Sequence, residues 1–140
     1  MKIEQLLEQY QSFNEAQLIE AGRKAYSQFG VRMDRKGYSE KEVVEFAVML
    51  ARLAAGADRF GTKEELDLFE KVTGIGTDKY EFAAMTKNAN SEEFVNGLDA
   101  VVDSLDPATK DGVLAFVAVF FVADNHLSKK EMAILKRLEA

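Results

Sequence analysis

Residues 113–123 read Val-Leu-Ala-Phe-Val-Ala-Val-Phe-Phe-Val-Ala, eleven residues in succession without a polar side chain. A helix that is apolar on every side has to be buried on every side. At about 1.5 Å per residue the run covers roughly 16 Å, about half of a bilayer core, so it does not predict a membrane span. Val and Phe also favour strands, but Asp106 and Pro107 supply an N-cap followed by a proline at the first helical position. We therefore predict a central helix over residues 107–123 that the other helices enclose.

Composition favours one helical domain. A chain of 140 residues fits a single domain that buries about two thirds of its unfolded surface. It has no cysteine, which excludes disulfides, thiolate metal sites and cysteine nucleophiles. The first residues are charged and show no signal-peptide pattern, so we expect a cytoplasmic protein.

The charge of the chain points away from nucleic acid. The formal net charge is −6, and the 18 basic residues are scattered rather than clustered. Binding to phosphates would have to overcome this negative field, so no nucleic-acid partner is expected. A cation or a basic protein surface suits the charge better.

Apolar periodicity and capping boxes predict about eight helices. The second helix is expected to begin at the box formed by Ser12 and Glu15 and to end at Gly30, followed by a loop over residues 31–38. Ser39 and Glu42 open a third helix that runs to about Ala57. Further helices are predicted to start at Thr62, near Thr77, at Ser91, at Pro107 and at Ser128, and Gly74 is the expected end of the fourth helix.

Two corners of the chain match each other 66 residues apart. Residues 57–65 read Ala-Asp-Arg-Phe-Gly-Thr-Lys-Glu-Glu, and residues 123–131 read Ala-Asp-Asn-His-Leu-Ser-Lys-Lys-Glu, so four of nine positions are identical. Each corner follows an apolar helix and precedes an amphipathic one. The predicted fold is therefore all-α: a single-domain bundle of about eight helices with two pseudo-repeated helix–turn–helix units around a buried central helix.

These corners resemble the tellurite-resistance TerB family, whose members typically carry Ala-Asp-Gly-x-Ile-Ser/Thr-x-x-Glu at such a turn. The first corner matches at Ala57, Asp58, Thr62 and Glu65, and the second matches at Ala123, Asp124, Ser128 and Glu131. The resemblance covers roughly residues 42–140. It implies an all-helical domain linked to stress or tellurite response, with no established catalysis and an association with divalent cations held by acidic residues.

The acidic residues of the corners have two interpretations. Asp58 and Asp124 each lie where a helix ends, where a carboxylate is mildly unfavourable. Either each aspartate caps its turn, or Asp58, Glu65, Asp124 and Glu131 hold a divalent cation. We prefer the capping interpretation, because it accounts for both residues of each corner without a ligand.

Three functions follow from these observations. The preferred hypothesis is a non-enzymatic TerB-like module, a stress-response scaffold or interaction domain with a protein partner. The alternative is a divalent-cation-binding domain that uses the four acidic corner residues. The third and least favoured is a small hydrolase using carboxylates and His126, the single histidine. We expect Asp103, Asp106 and Asp111 to be helix-end charges, and Tyr80, Phe82 and Met85 to be core residues rather than a partner-binding face.

Overall fold

The computed structural model describes residues 2–55, 63–75 and 100–124, together with residues 133, 135, 136 and 139. Within these residues the chain is all-helical and has no strand, which confirms the predicted fold class. The predicted number of helices and the pseudo-repeat stay predictions, because residues 56–62, 76–99 and most of 125–140 lie outside the described part. The helices with described bounds are α1 (Ile3–Gln11), α2 (Glu15–Arg35), α3 (Glu40–Ala55), α4 (Lys63–Thr73) and α5 (Pro107–Asp124).

Helix α5 is the centre of the described structure, as predicted from its apolar run. It packs against α1, α2 and α3. Its inner residues are at most 2% exposed: Val113, Leu114, Phe116, Val117, Ala118, Val119 and Phe120. The run is not enclosed on every side, however, because Ala115, Phe121 and Val122 are partly exposed and Ala123 is exposed. The part of α5 that remains uncovered around Ala115 borders a groove described below.

A chain of aromatic rings joins α5 to its neighbours. Phe29 of α2 meets Phe46 of α3 and Phe116 of α5 edge to face, with ring centroids 5.9 and 5.3 Å apart. Phe116 continues to Phe120 at 4.9 Å, and Phe120 lies 6.3 Å from Phe69 of α4. Edge-to-face pairs add to the free energy gained by burial. Four helices are thus linked through one aromatic cluster.

Close approach of α2 and α5 depends on Gly112. A Cβ at this position would lie 3.1 Å from the backbone nitrogen of Phe29 and 3.2 Å from the side chain of Gln28. Because backbone cannot move aside as a flexible side chain can, a larger residue would push the two helices apart. The glycine therefore sets how deeply the start of α5 lies against α2.

The predicted start of the second helix was wrong by two residues. The N-cap of α2 is Asn14, whose Oδ1 accepts from the Gln17 backbone N–H, while the Gln17 side chain accepts from the Asn14 N–H, both at 2.9 Å. Ser12 instead ends α1, because its Oγ donates to the Gln9 carbonyl at 2.8 Å. Asn and Ser are comparable N-caps, so the box alone does not decide between them, and Ser12 is already the C-cap of α1.

The predicted end of α2 at Gly30 was also wrong. Residues 31–35 are helical, and the helix ends in Lys36 followed by Gly37 with φ of +97°. The Tyr38 N–H donates to the Met33 carbonyl at 3.1 Å and the Gly37 N–H to the Asp34 carbonyl at 3.0 Å. This pair of bonds is a Schellman motif, which requires a left-handed residue that glycine adopts without strain. The helix continues past Gly30 for about one and a half turns, and this extension buries Met33, which is 1% exposed.

Two other predicted helix ends were confirmed. The Ser39 Oγ accepts from the Glu42 N–H at 3.2 Å, and the Glu42 carboxylate accepts from the Ser39 N–H at 3.0 Å, which completes the predicted capping box of α3. These bonds to Ser39 lower the pKa of Glu42. Gly74 ends α4 with φ of +74°, and its N–H donates to the Glu70 carbonyl at 2.8 Å.

The first helix receives its N-terminal cap from the far end of the sequence. Lys2 offers no side-chain cap, and the Ile3 N–H donates instead to the Glu139 carboxylate at 2.9 Å. Lys136 Nζ lies 3.5 Å from the Glu4 carboxylate, and Leu135 is fully buried. A carboxylate at a helix N-terminus is favoured by the free N–H groups and the helix dipole.

None of the helices in the described ranges combines the length and the apolar character that crossing a membrane requires.

Asp106 is the N-cap of α5, as predicted. Its Oδ1 accepts from the Thr109 N–H at 2.7 Å, and its Oδ2 lies 3.6 Å from Lys36 Nζ and 4.0 Å from Arg32 Nη1. The Thr109 hydroxyl and backbone N–H lower the pKa of Asp106, and the two cations of α2 add to the effect. The cap thus also attaches the start of α5 to the last turns of α2.

We expect the charge and the cap of Asp106 to be separable by substitution. Because its pKa is lower in the folded chain, the ionised carboxylate stabilises the fold above its unfolded pKa of about 4, and this contribution is lost as the pH falls through the folded pKa. Asp106→Asn keeps a capping oxygen without the charge, so its melting temperature should fall less steeply than that of wild type below about pH 4. Asp106→Ala should melt a few degrees lower at every pH. Thermal melts by circular dichroism would contradict this if both variants followed the wild-type curve.

Gly22 allows α4 to lie directly against α2. A Cβ on Gly22 would lie 2.8 and 2.9 Å from the two methyl groups of Val72, which is 3% exposed. Beside this contact, Arg23 Nε donates to the Lys71 carbonyl at 2.8 Å. A β-branched side chain has little rotamer freedom with which to move away.

The effect of Gly22→Ala on the free energy of unfolding is expected to change sign when the residue at position 72 is changed. In the wild-type background the overpacking should cost about 1–3 kcal/mol. In a Val72→Ala background the clash is absent, and the higher helix propensity of alanine should raise stability by up to about 1 kcal/mol. Gly30→Ala is the matched control, because its Cβ meets nothing closer than 3.7 Å. Denaturant midpoints of the four-member cycle measure the effect, and equal shifts in both backgrounds would disprove the close contact.

Candidate functional site

The four acidic residues predicted as a cation site cannot be placed together. Asp58 and Glu131 lie outside the described residues, and so do the side chains of Glu65 and Asp124, although these two belong by backbone to α4 and α5. The divalent-cation hypothesis therefore stays a prediction. Within the described part of the chain, no three carboxylate or histidine side chains are grouped so that they could hold a metal ion.

Other residues considered from the sequence lie outside the described part as well. These are His126, the acid–base group of the hydrolase hypothesis, and Tyr80, Phe82 and Met85, expected to be core. The described ranges do contain Asp103, Asp106 and Asp111, all three expected to be helix-end charges. Asp103 is the last helical residue before a turn and Asp106 caps α5, but Asp111 has a different position.

A groove runs between α1, the first half of α2 and the start of α5. It has a volume of about 560 Å³ and is open to solvent along one side rather than enclosed. Its lining is mostly apolar. Pockets of this size are typical of ligand sites in proteins.

The apolar surface of the groove is supplied by two aromatic rings and by four alanines, Ala16, Ala21, Ala25 and Ala115. Tyr10 of α1 and Phe13 of the following turn have ring centroids 5.2 Å apart. Ala21 and Ala25 are one turn apart on α2, and Ala115 faces them from α5. Alanine side chains are too short to fill the space between the two helices, which longer side chains would occupy. The groove is thus a consequence of alanine on two facing helices.

Burial raises the pKa of the Tyr10 phenol above its ordinary value. The phenol therefore stays neutral at physiological pH, and its contribution to the groove is an apolar ring with one hydroxyl.

Most polar groups along the rim already have partners. Lys24 Nζ lies 3.9 Å from the Glu20 carboxylate one turn earlier on α2, and both side chains are more than 60% exposed. Gln28 Nε2 donates to the Ala108 carbonyl of α5 at 2.7 Å. At the other end of the groove, Asn14 and Gln17 form the capping box of α2. These groups hold the walls of the groove in place.

Asp111 is the exception. It lines the groove from α5 and is partly buried, and its Oδ1 is inaccessible to water without a hydrogen-bond partner among the described residues. Buried polar atoms are normally paired, and one without a partner is unfavourable. The carboxylate is therefore partly desolvated in the free protein, and an external donor would have to approach its other oxygen, Oδ2.

The sequence contained one indication that Asp111 is more than a helix-end charge, namely its spacing from Ala115. Asp111 precedes Ala115 by four residues, so both lie on one face of α5. On α2, Gln17, Ala21, Lys24 and Gln28 likewise share one face. These two faces form the groove, but only the crossing of α2 and α5 brings them together.

A second depression, of about 470 Å³, lies where α2 turns into α3. Lys36 Nζ donates to the Ser104 carbonyl at 3.4 Å and also pairs with Asp106, and the Tyr38 hydroxyl lies 3.4 Å from Ser104 Oγ. These side chains connect α2 to the segment before α5. Because they are engaged in that connection, we regard this depression as structural.

Comparisons with protein-family models, with curated proteins and with solved structures found no match for this chain. The resemblance to the TerB family therefore rests on the two corner motifs and stays a prediction.

Proposed function

We propose that the chain is a non-enzymatic helical interaction module that binds a segment of a protein partner in the groove between α1, α2 and α5. The observation that carries the proposal is an open apolar groove whose wall includes a buried carboxylate oxygen, that of Asp111, without a described partner. An apolar side chain entering the groove would remove its lining from water, which is the main favourable contribution in protein association.

A protein segment suits this groove better than a small molecule. Small ligands are usually bound in clefts that cover most of their surface, whereas this groove is open along its length. A partner helix or extended segment lays a few side chains into such a groove while its backbone remains outside. Aromatic anchors such as Tyr10 and Phe13 are typical of binding surfaces of this kind.

The resemblance of the two corners to the TerB family supports the same class of function. That family implies a helical module linked to stress or tellurite response rather than catalysis, and we retain a stress-response scaffold as the biological setting of the proposal.

Filling the groove is expected to abolish partner binding. Ala21 lies in the groove and is partly buried, so Ala21→Phe should occupy the space that a partner side chain needs. Ala16→Phe at the exposed end of the groove is a second blocking variant that disturbs the core less. Peptides selected on wild type from a randomised helical-peptide library should bind either variant at least about tenfold more weakly.

Val31→Phe is the matched control, because Val31 is on the same helix, is 47% exposed and does not line the groove. It adds the same ring at a distance from the site and should leave peptide affinity unchanged. Circular dichroism would confirm that every variant is folded. The proposal is wrong if selection yields no peptide that distinguishes the folded blocking variants from the control.

A further inference from the structure

We infer that the segment bound in the groove carries a lysine or arginine that pairs with Asp111, one helical turn from an apolar side chain that fills the space beside Ala115. This inference rests on the proposed function, and it specifies the chemistry of the partner.

The state of the Asp111 carboxylate in the free protein favours a cationic partner. Its Oδ1 has no contact with water and no described donor. When two charged groups pair, the loss of their hydration normally offsets much of the free energy gained from their attraction. Here part of that hydration is already absent before the partner arrives. A guanidinium or ammonium group that donates to Oδ2 would therefore gain a charge-assisted hydrogen bond at a smaller desolvation cost than at a fully exposed carboxylate.

Groups of the protein that share the groove do not neutralise Asp111. Lys24 is paired with Glu20 on the rim, and the amide of Gln28 donates to the Ala108 carbonyl. Glu20, Lys24 and Asp111 are the charged residues that line the groove, so the first two balance and Asp111 leaves it negative. The whole chain carries a net charge of −6, which attracts a basic segment and repels an acidic one.

Spacing along α5 sets the expected pattern in the partner. Asp111 and Ala115 are separated by one turn, and Ala115 faces Ala21 across the groove. A helical partner lying along α5 would place its cation at Asp111 and its apolar side chain at Ala115 when these two residues are three or four positions apart. Leucine, methionine or phenylalanine would fill the volume left by the alanines.

The test is a pair of selections from one randomised helical-peptide library, on wild type and on Asp111→Asn. Asparagine has nearly the same shape as aspartate but no charge, and it should fold at least as stably because it removes a poorly solvated carboxylate. We expect peptides from the wild-type selection to be enriched in Lys or Arg one turn from an apolar residue. Selection on Asp111→Asn should keep the apolar residue and lose the cation.

A binding cycle then measures the pair directly. The strongest wild-type peptide is compared with its citrulline analogue, which keeps the shape of arginine without the charge (a lysine would be replaced by norleucine). Fluorescence anisotropy should show that this exchange weakens binding to wild type about tenfold and changes binding to Asp111→Asn by less than about twofold. High salt should reduce the difference.

Two failures have different meanings. Peptides that the Ala21→Phe and Ala16→Phe variants no longer bind, but that show no cation preference and no coupling to Asp111, would overturn the inference and leave the proposed function intact. A selection in which no peptide depends on an open groove would overturn both.

Discussion

Helix α5 has almost no face that can be left in water between Val113 and Phe120, so the other helices have to enclose it. That requirement explains the order of packing, in which α1, α2 and α3 all lie against one helix. It also explains why Phe29 and Phe69 reach towards Phe116 and Phe120. Close enclosure is possible because Gly112 lets the backbones of α2 and α5 approach. A bundle built in this way is stabilised mainly by burial around a single element.

The groove arises at a place where the enclosure of α5 stops. Near the beginning of α5, both α5 and α2 carry alanines on the sides that line the groove. No third helix among the described residues fills the space that these short side chains leave. The cost is an apolar surface in contact with water and, at Asp111, a carboxylate that is partly desolvated without a partner among the described residues. Docking of the proposed apolar and basic segment would cover the apolar surface and balance the charge of the carboxylate. A site of this kind stabilises the complex because the free protein is locally less stable there.

Local sequence patterns predicted the structure where they agreed with the packing of the helices, and such prediction was possible at three places. The Asp106-Pro107 pair and the apolar run located α5, and the Ser39 box and Gly74 located two helix ends. Prediction failed where two local signals competed: Ser12 and Asn14 both open a plausible capping box, and Gly30 and Gly37 are both plausible stops. At the end of α2, burial of Met33 and the left-handed backbone at Gly37 decided between the two glycines. The position of Asp111 in the groove was beyond local signals, because it depends on the angle at which α2 crosses α5.

Glu139 has a consequence for the order in which the chain becomes structured. The N–H group of Ile3 donates to an acceptor that is 136 residues away along the sequence. During synthesis α1 is made before Glu139, which caps it, and before α5, against which it packs. An isolated helix of nine residues is marginal in water. Helix α1 is therefore expected to become stable only after α5 and Glu139 have folded against it.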